Sequence, residues 1–387
     1  MRKKIIMIGD SVYPDTMGGS HRHIYDVSKR LADIGYQVLV FSPKNDNVFL
    51  DKEIINGVEI RRYPRKKGHL GSCLDFLIQP YILFKKIMKS ETIPDVVHGH
   101  WPLTCFFIWL YVHLKHLPVK LVYTFHGPVV EEYAYELRNS KITRFIFLKF
   151  VYLVEFIVLH YSDKISTASN YMKNKAISLY GNAKKISVNY LAIDEEKFDI
   201  VPSLQYPACF DKQKYKYIFT LRRLKKRMGI QLLLKAFAIV LQKKGDGYKL
   251  LIGGKGDYKN ELEKLTRKLN IEKNVLFLGF LADEELKCYY SASDACVVPS
   301  LDLEGFGLTT VEAMACGVPV VATNVCANKE ILANVNSSFL TEQNPNSMAM
   351  AIIKAMEQNV DKRSLRTSIL QRFNWNKTIN GYLDLYR

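Results

Sequence analysis

The stretch P-S-L-D-L-E-G-F-G-L-T-T-V-E-A-M-A-C-G, residues 299–317, decides the prediction of the fold. It lies between two short apolar runs, Ala295–Val298 and Val318–Ala322, which have the composition of buried strands. Gly305 and Gly307 stand just before a helical pattern. Strand, loop, helix and strand in this order predict part of a parallel sheet whose ligand-binding groups collect at the ends of the strands.

Two carboxylates of this stretch are candidate ligand-binding groups. Glu304 precedes the predicted helix and Glu312 falls in its first turns, so both can accept hydrogen bonds from the hydroxyls of one ligand. The free N–H groups at the start of the helix suit a diphosphate. A second interpretation is a capping box formed by Thr309 and Glu312, but it does not account for Glu304 and the glycines.

Strands and helices alternate in both halves of the 387-residue chain. Buried strands are predicted at 4–8, 37–41, 95–98, 121–125, 164–168, 217–220, 249–252, 275–278, 295–298 and 318–322. The segment from 198 to 216 has no clear periodicity, which places a hinge near 200–214. We therefore predict two Rossmann-like α/β domains with parallel sheets, at 1–200 and 215–371.

The chain has a formal net charge of +17, which predicts an anionic partner or surface. Cations concentrate between residues 61 and 89, where Asp75 is the one acid among Arg61, Arg62, Arg65, Lys66, Lys67, Lys85, Lys86 and Lys89. Apolar residues alternate with these cations, which is typical of a segment that lies on an anionic membrane. An ordinary solvated helix face is an equally good interpretation.

Three other features narrow the class of protein. The run from Phe145 to Tyr161 is almost long enough to span a bilayer, but Lys149 and Glu155 inside it favour a buried or half-buried core helix. The seven cysteines include no C-x-x-C pair, which argues against a zinc site and against a disulfide framework. The apolar run near Met1 is too short for a signal peptide and is interpreted as a first strand.

The segment from Glu304 to Glu312 closely resembles the E-x7-E motif of glycosyltransferase family 4, whose members are retaining enzymes with the GT-B fold. The resemblance implies two Rossmann-like domains that face each other across a cleft, with the donor sugar at Glu304 and the ribose at Glu312. It also implies donor contacts from the residues between them, namely Gly305, Phe306, Gly307 and Leu308.

Motifs of the first half also resemble this family. Tyr13-Pro-Asp-Thr-Met-Gly18-Gly19 is similar to the loop that borders the donor diphosphate. His126 stands where the family has a catalytic histidine near the transferred sugar, whereas for His98 and His100 we expect a structural or acceptor-side role. The C-terminal helix, 372–387, is expected to pack back on the N-terminal domain.

A cation-rich loop of the second half resembles the diphosphate site of the family. In T-L-R-R-L-K-K-R-M-G, residues 220–229, the pattern R-L-x-x-x-K-G selects Arg223 as the catalytic arginine. Met228 stands where the family has a lysine, and either Lys226 or Arg227 replaces that charge. Gly254 belongs to a glycine-rich loop that the resemblance places beside the nucleotide.

The sequence therefore predicts a cytoplasmic glycosyltransferase that uses a UDP- or GDP-sugar. No D-x-D triplet occurs, and we expect neither a metal nor a cofactor. The resemblance implies a glycan or a lipid-linked precursor of a surface polysaccharide as the acceptor, used at the inner face of the plasma membrane. A sugar-nucleotide epimerase with the same fold is an alternative. A nucleic-acid-binding protein is a weaker one, because no base-reading module is recognised and no nucleic-acid partner is expected.

Overall fold

Two structural units make up the chain in this computed structural model. The first unit consists of Met1–Tyr190 and Asn376–Arg387, and the second of Leu191–Trp375. The structure describes all residues except 1, 2, 17, 47, 66–68, 137–140, 182–184, 334, 336 and 337, together with the side chains of 69–73, 136 and 141.

The first unit is built around a sheet of eight strands among the described residues. These are β1 (Lys4–Ile8), β2 (Gln37–Lys44), β3 (Lys52–Ile55), β4 (Val58–Pro64), β5 (Val96–Gly99), β6 (Lys120–Phe125), β7 (Lys164–Thr167) and β8 (Ile186–Val188). Their order is β3-β4-β2-β1-β5-β6-β7-β8, and the pairs are parallel except for β3 with β4. The strand order reverses direction between β1 and β5, which is where a sheet of this kind opens a crevice.

Helices cover the first sheet. They are α1 (Gly19–Asp33), α2 (His69–Ser90), α3 (Pro102–Leu114), α4 (Val129–Glu136), α5 (Lys141–Tyr161) and α6 (Asn170–Tyr180). All five residues of β1 are buried, as expected for a central parallel strand with helices on both faces. Trp109 of α3 is fully buried and donates from Nε1 to Ser162 Oγ at 2.8 Å.

The second unit has a sheet of six strands among the described residues. These are β9 (Lys216–Leu221), β10 (Tyr248–Gly253), β11 (Val275–Gly279), β12 (Ala295–Val298), β13 (Val320–Thr323) and β14 (Phe339–Thr341). The order β11-β10-β9-β12-β13-β14 is the doubly wound arrangement of a dinucleotide-binding fold, with its switch point between β9 and β12. The helices are α7 (Ile230–Lys244), α8 (Lys259–Lys268), α9 (Asp283–Ala292), α10 (Leu308–Ala315), α11 (Asn328–Ile331), α12 (Pro345–Glu357) and α13 (Lys362–Arg372).

The last helix, α14 (Trp375–Tyr386), returns to the first unit. Thr378 Oγ1 donates to the carbonyl of Tyr190 at 2.7 Å, and Asn189 Nδ2 donates to the carbonyl of Thr378 at 3.0 Å. Its apolar face, which includes Ile379 and Tyr382, is buried. The helix therefore fastens the end of the chain to the strands of the first sheet.

The predicted α/β fold with two Rossmann-like parallel sheets is confirmed. The division between the units falls after Tyr190, earlier than the predicted hinge at 200–214. The segment that follows packs within the second unit, because Ile193 N–H donates to the carbonyl of Phe373 at 3.0 Å and Val201 N–H to Ser291 Oγ at 3.2 Å.

The apolar run predicted as a core helix is α5, and it is only half buried. Its Glu155 is fully buried and accepts a hydrogen bond from the Tyr180 hydroxyl at 2.5 Å. Burial raises the pKa of Glu155 to about 8. Within the described residues, no helix has the length and apolar character that crossing a bilayer requires. Lys66 and Lys67, which belong to the predicted basic segment, lie outside the described residues.

Candidate active site

Two strand ends of the second unit bring polar side chains together. β9 ends at Leu221 and is followed by Arg222, and β12 ends at Val298 and is followed by the loop that carries Ser300 and Glu304. The two strands are neighbours on either side of the switch point. Residues that follow them therefore meet at the crevice where this fold binds ligands.

Arg222 is the centre of this group, which we name the arginine–glutamate cluster: Arg222, Ser300 and Glu304. Arg222 is 9% exposed, and its Nη2 donates to Ser300 Oγ at 2.5 Å and to the Glu304 carboxylate. Ser300 Oγ donates to the same carboxylate oxygen at 2.6 Å. A buried charge with a paired counter-charge and a hydroxyl is held in one orientation.

The cluster keeps Glu304 ionised. Burial by itself would raise the pKa of this carboxyl group, but the charge of Arg222 and the hydrogen bonds from Ser300 and Arg222 outweigh burial and lower it. The charge of Arg227 adds to the same effect. The site therefore presents an anionic acceptor for hydroxyls directly beside a cation.

The structure brings Arg222 to Glu304, whereas Arg223, the arginine predicted from the motif, is exposed. Thr220 and Arg222 are buried, whereas Arg223 is exposed. The contacts with Glu304 therefore favour Arg222 as the arginine of this cluster over Arg223, which the motif selected. Both faces of β9 are buried, so no alternation in its sequence separates the two arginines.

The position where the family has a lysine is filled by a buried thioether. Met228 is 7% exposed, and its sulfur lies 3.2 Å from Nη2 of Arg222. Arg227 is half buried, and its Nη1 donates to the carbonyl of Leu303 at 3.4 Å, whereas Lys226 is exposed. Of the two replacements left open by the sequence, Arg227 is the one whose charge acts on Glu304.

Glycines shape the backbone around the cluster. Gly307 precedes α10 with φ 85°, a left-handed conformation that favours glycine, and no side chain caps the helix there. Gly254 has φ 118°, and a Cβ on it would lie 1.9 Å from the carbonyl oxygen of Arg222. Gly254 is thus required for the close approach of its loop to the arginine.

Glu312 and Phe306 are fixed by packing. Glu312 accepts a hydrogen bond from the buried Tyr290 hydroxyl at 2.9 Å, and Thr309 Oγ1 accepts one from Arg222 Nη1 at 3.3 Å. Because α10 begins at Leu308 after Gly307, Thr309 is not the N-cap that the capping-box interpretation required. The ring of Phe306 is buried against Phe373, with 5.3 Å between ring centroids.

The ends of β5 and β6 and the first turns of α1 bring four histidines together, which we name the histidine cluster: His23, His98, His100 and His126. His98 Nε2 lies 2.8 Å from Thr124 Oγ1, and His100 Nδ1 lies 3.0 Å from Nε2 of His126. Gly18 and Gly19 lie at the start of α1, the helix that carries His23.

Helix α14 closes the histidine cluster with two tyrosines that sequence reasoning missed. Tyr382 OH lies 2.7 Å from His23 Nε2, and Tyr386 OH lies 2.7 Å from His98 Nδ1. The C-terminal helix is expected from the sequence to pack on the N-terminal domain, but nothing in the sequence pairs these hydroxyls with particular histidines. His98 is hydrogen-bonded at both ring nitrogens, and its structural or acceptor-side role stays a prediction.

The imidazoles of this cluster are neutral at pH 7. Burial lowers the pKa of His98 to about 3 and that of His126 to about 4. Burial also lowers the pKa of His100 and His23 far below the ordinary value, and the neighbouring histidines add to the effect. His100 Nε2 is buried without a hydrogen-bond partner among the described residues. Within the described part of the chain, no three His, Cys, Asp or Glu side chains are placed to hold a metal ion.

Two doubly wound units, one with a charged cluster at its switch point, are typical of glycosyltransferases with the GT-B fold. The model of "Glycosyltransferase Family 4" matches residues 17–197, and the model of "Glycosyl transferases group 1" matches residues 209–370. The chain belongs to glycosyltransferase family 4, as the E-x7-E segment predicted.

Comparison with known proteins agrees with this assignment. An uncharacterized glycosyltransferase of Methanocaldococcus jannaschii is 26% identical, over 99% of this chain and 98% of its own length. The gpi3 subunit of phosphatidylinositol N-acetylglucosaminyltransferase from Schizosaccharomyces pombe is 22% identical, over 95% of this chain and 77% of its own length. The solved structure of Anabaena HepE in complex with UDP-glucose has a TM-score of 0.78 at 20% identity, over 98% of this chain and 99% of that chain.

Proposed function

We propose that this glycosyltransferase is a retaining enzyme whose second unit binds the diphosphate of a UDP- or GDP-sugar. The observation that carries the proposal is the buried contact of Arg222 with Ser300 and Glu304 at the switch point of the sheet. A cation and an uncapped helix N-terminus are the groups that bind a diphosphate without a metal ion. The complex of HepE with UDP-glucose supports a uridine nucleotide.

The proposed reaction breaks the bond between the anomeric carbon and the diphosphate, and the bonding electrons leave with the diphosphate. Arg222, Arg227 and the first N–H groups of α10 stabilise the negative charge that develops there. The acceptor hydroxyl attacks from the face that the diphosphate leaves, and its proton passes to a donor phosphate oxygen. The configuration of the anomeric carbon is therefore retained.

Other side chains position the donor in this proposal. Glu304 and Glu312 accept hydrogen bonds from hydroxyls of the sugar and the ribose, since hydrogen bonds to a charged acceptor are stronger than neutral ones. Tyr290 holds Glu312 in place. His126 contacts the transferred sugar as a neutral imidazole, because burial keeps its pKa near 4. His100 orients the His126 ring through their hydrogen bond.

The proposed acceptor is a lipid-linked glycan, such as a precursor of a surface polysaccharide, used at the inner face of the plasma membrane. The name of the S. pombe relative includes a phosphatidylinositol acceptor, and this supports a lipid acceptor here. The net charge of +17 also favours a protein that works beside an anionic surface.

A donor screen tests the proposal. UDP- and GDP-sugars are added to the protein, and the melting temperature is measured with each. The product formed from the best-binding donor is then analysed by NMR to determine its anomeric configuration. We expect a UDP- or GDP-sugar to raise the melting temperature, transfer to survive a metal chelator, and the product to keep the anomeric configuration. An epimerised sugar in the absence of acceptor would identify an epimerase instead. An inverted product would overturn retention, and oligonucleotide binding unaffected by UDP or GDP would support the nucleic-acid alternative.

A further inference from the structure

One face of α5 exposes large apolar side chains to solvent. Ile142 is 75% exposed, Phe145 61% and Ile146 63%. The spacing of three and four residues continues along the helix, and the further exposed side chains of this stripe are Phe150, Leu153 and Phe156. Single exposed apolar residues are ordinary on protein surfaces, but a contiguous stripe over a whole helix marks an interaction surface.

Helix α2 has a similar exposed stripe. Leu74 is 52% exposed, Ile78 41% and Ile82 52%, and Lys86 continues the same face one turn later. These residues are four apart, so they lie on one side of the helix. The basic and apolar composition of this region is visible in the sequence, and the structure shows which of its side chains are exposed to solvent.

The two stripes lie on the same side of the first sheet. The connections from β4 to β5, from β5 to β6 and from β6 to β7 all cross the sheet in the same direction, and right-handed crossovers therefore place their helices on one face. Helix α3 lies between α2 and α5 and contacts both. Phe106 and Phe107 of α3 are half buried, so the surface between α2 and α5 also contains apolar side chains.

The exposed charges of α2 and α5 are positive. Among the described side chains, the exposed residues of α2 and α5 include Lys86, Lys89 and Lys149 and no carboxylate. The acids of the two helices, Asp75 and Glu155, are buried. Lys149 Nζ lies 5.7 Å from the centre of the Phe145 ring, so the one lysine within the α5 stripe lies against its apolar neighbour.

We propose that the outer helix surface, defined as the exposed stripes of α2 and α5, docks on an anionic phospholipid bilayer with α5 lying in the plane of the interface. Phenylalanine and isoleucine side chains enter the acyl boundary, while the lysines reach the phosphate groups by extending their flexible stems. A bilayer fits better than a protein partner, because the cores of protein interfaces are depleted in charge and a lysine lies within this stripe.

The role given to membrane docking depends on the proposed function, because docking would bring the enzyme to a lipid-linked acceptor. The docking itself does not depend on sugar transfer, so the two are tested separately. Hydrolysis of the donor without any acceptor reports on the active site. Binding to vesicles reports on the outer helix surface.

The test is flotation of the full chain with vesicles of phosphatidylcholine alone or with added phosphatidylglycerol. We expect the wild-type protein to float with the anionic vesicles and to bind them at least about tenfold more tightly than the neutral ones. The double variant Phe145→Ser, Ile146→Ser is expected to lose about tenfold or more in binding, because each side chain that enters the bilayer contributes through its buried apolar area.

Matched variants in the second unit serve as controls. Leu204 is 95% exposed and Met350 53%, and the double variant Leu204→Ser, Met350→Ser is expected to bind like the wild type. Lys149→Glu should weaken binding to the anionic vesicles, whereas Lys235→Glu, at an exposed position of α7, should weaken it less. Donor hydrolysis and the melting temperature are expected to stay unchanged in all of these variants.

Three results would overturn the proposal. The first is a wild-type protein that stays with the unbound fraction when anionic vesicles float. The second is equal binding by the Phe145, Ile146 variant and the Leu204, Met350 variant. The third is a wild-type dimer in solution that the Phe145, Ile146 variant converts to a monomer without any change in vesicle binding, which would assign the surface to a second copy of the chain.

Discussion

The two units share a doubly wound parallel core and differ in the electrostatics of their strand ends. In the second unit, Arg222 and Glu304 form a buried ion pair, and the pKa of Glu304 is lowered so that both groups carry charge. In the first unit, burial lowers the pKa values of His98 and His126, so that these groups are uncharged at pH 7. The same crevice position therefore holds charge in one unit and neutral hydrogen-bonding groups in the other.

This difference indicates a division of work. A charged cluster suits a ligand that gains negative charge during reaction, because fixed charges in a buried site need no rearrangement. Neutral imidazoles suit sugar hydroxyls, which both donate and accept hydrogen bonds. The two clusters should accordingly respond differently to substitution and to pH.

The largest expected effect comes from breaking the ion pair. Glu304→Gln and Arg222→Met should each lower turnover by about 10²–10³-fold, and each should destabilise the second unit by about 3–5 kcal/mol, because each leaves the other member of the buried ion pair without its counter-charge. Turnover with the best donor and urea unfolding check this.

The double variant Arg222→Met, Glu304→Gln provides the control for stability. Removing both charges should restore part of the lost free energy of unfolding, although turnover stays low. Strictly additive losses in the double variant would show that the two charges do not interact in the folded protein.

The second effect is a difference in pH dependence. The pKa of His98 is about 3 and that of His126 about 4 in the folded protein, below the unfolded value of about 6.5. Stability from these residues is therefore fully present above pH ~6.5 and lost as the pH falls, by up to about 1.4 kcal/mol per pH unit for each histidine. The lowered pKa of Glu304 acts in a lower window, below its unfolded value of about 4.3.

Hydrogen exchange at pH 7 and pH 5 measures this difference. Protection of β5 and β6 in the first unit should fall more than protection of β9 and β12 in the second. His98→Asn should reduce the change in the first unit. Equal losses of protection in the two units would contradict the electrostatic contrast.

The sequence predicted more of the charged cluster than of the neutral one. Glu304 and Glu312 lie in one continuous motif, and the residue spacing alone placed them around a helix start. The motif selected Arg223, whereas the contact with Glu304 is made by Arg222, because a motif match compares residue types and does not show which of two adjacent side chains reaches the carboxylate. The parallel sheets followed from short apolar runs, which are strong local signals.

The histidine cluster depends on contacts between residues that are distant in sequence. The Tyr386 hydroxyl reaches His98 across 288 positions, and no local pattern contains that pairing. The exposed stripe of α5 was missed for a related reason. Its apolar residues are similar on the buried and exposed faces, so hydrophobic periodicity does not separate the two faces.

A smaller effect is expected where α14 closes the histidine cluster. Tyr386→Phe removes the hydroxyl that lies 2.7 Å from Nδ1 of the buried His98, and should cost about 1–2 kcal/mol of unfolding free energy. Tyr161→Phe, at a half-buried ring of α5, should cost less. Thermal unfolding of both variants is the measurement, and equal losses would show that the Tyr386 hydroxyl does not stabilise the cluster.

The smallest expected effect is a difference in the KM for the donor between substitutions of Arg227 and of Lys226. Arg227→Ala should raise the KM for the donor by about fivefold to tenfold, since its charge acts on the site, whereas Lys226→Ala should change KM by less than about twofold. Steady-state kinetics at low and moderate salt check this. A larger effect at Lys226 would reverse the assignment of the replacement for the family lysine.

The adjacent arginines test the central claim most directly, since one is buried at Glu304 and the other is exposed. The measurement is kcat/KM for the best donor in Arg222→Lys and Arg223→Lys, with melting temperatures to show that both variants fold. We expect kcat/KM to fall by at least about 10²-fold in Arg222→Lys, because lysine cannot reproduce the forked contacts to Ser300, Glu304 and Thr309. We expect nearly wild-type activity for Arg223→Lys. A folded Arg222→Lys variant with wild-type activity, or a larger loss at Arg223, would contradict the central claim.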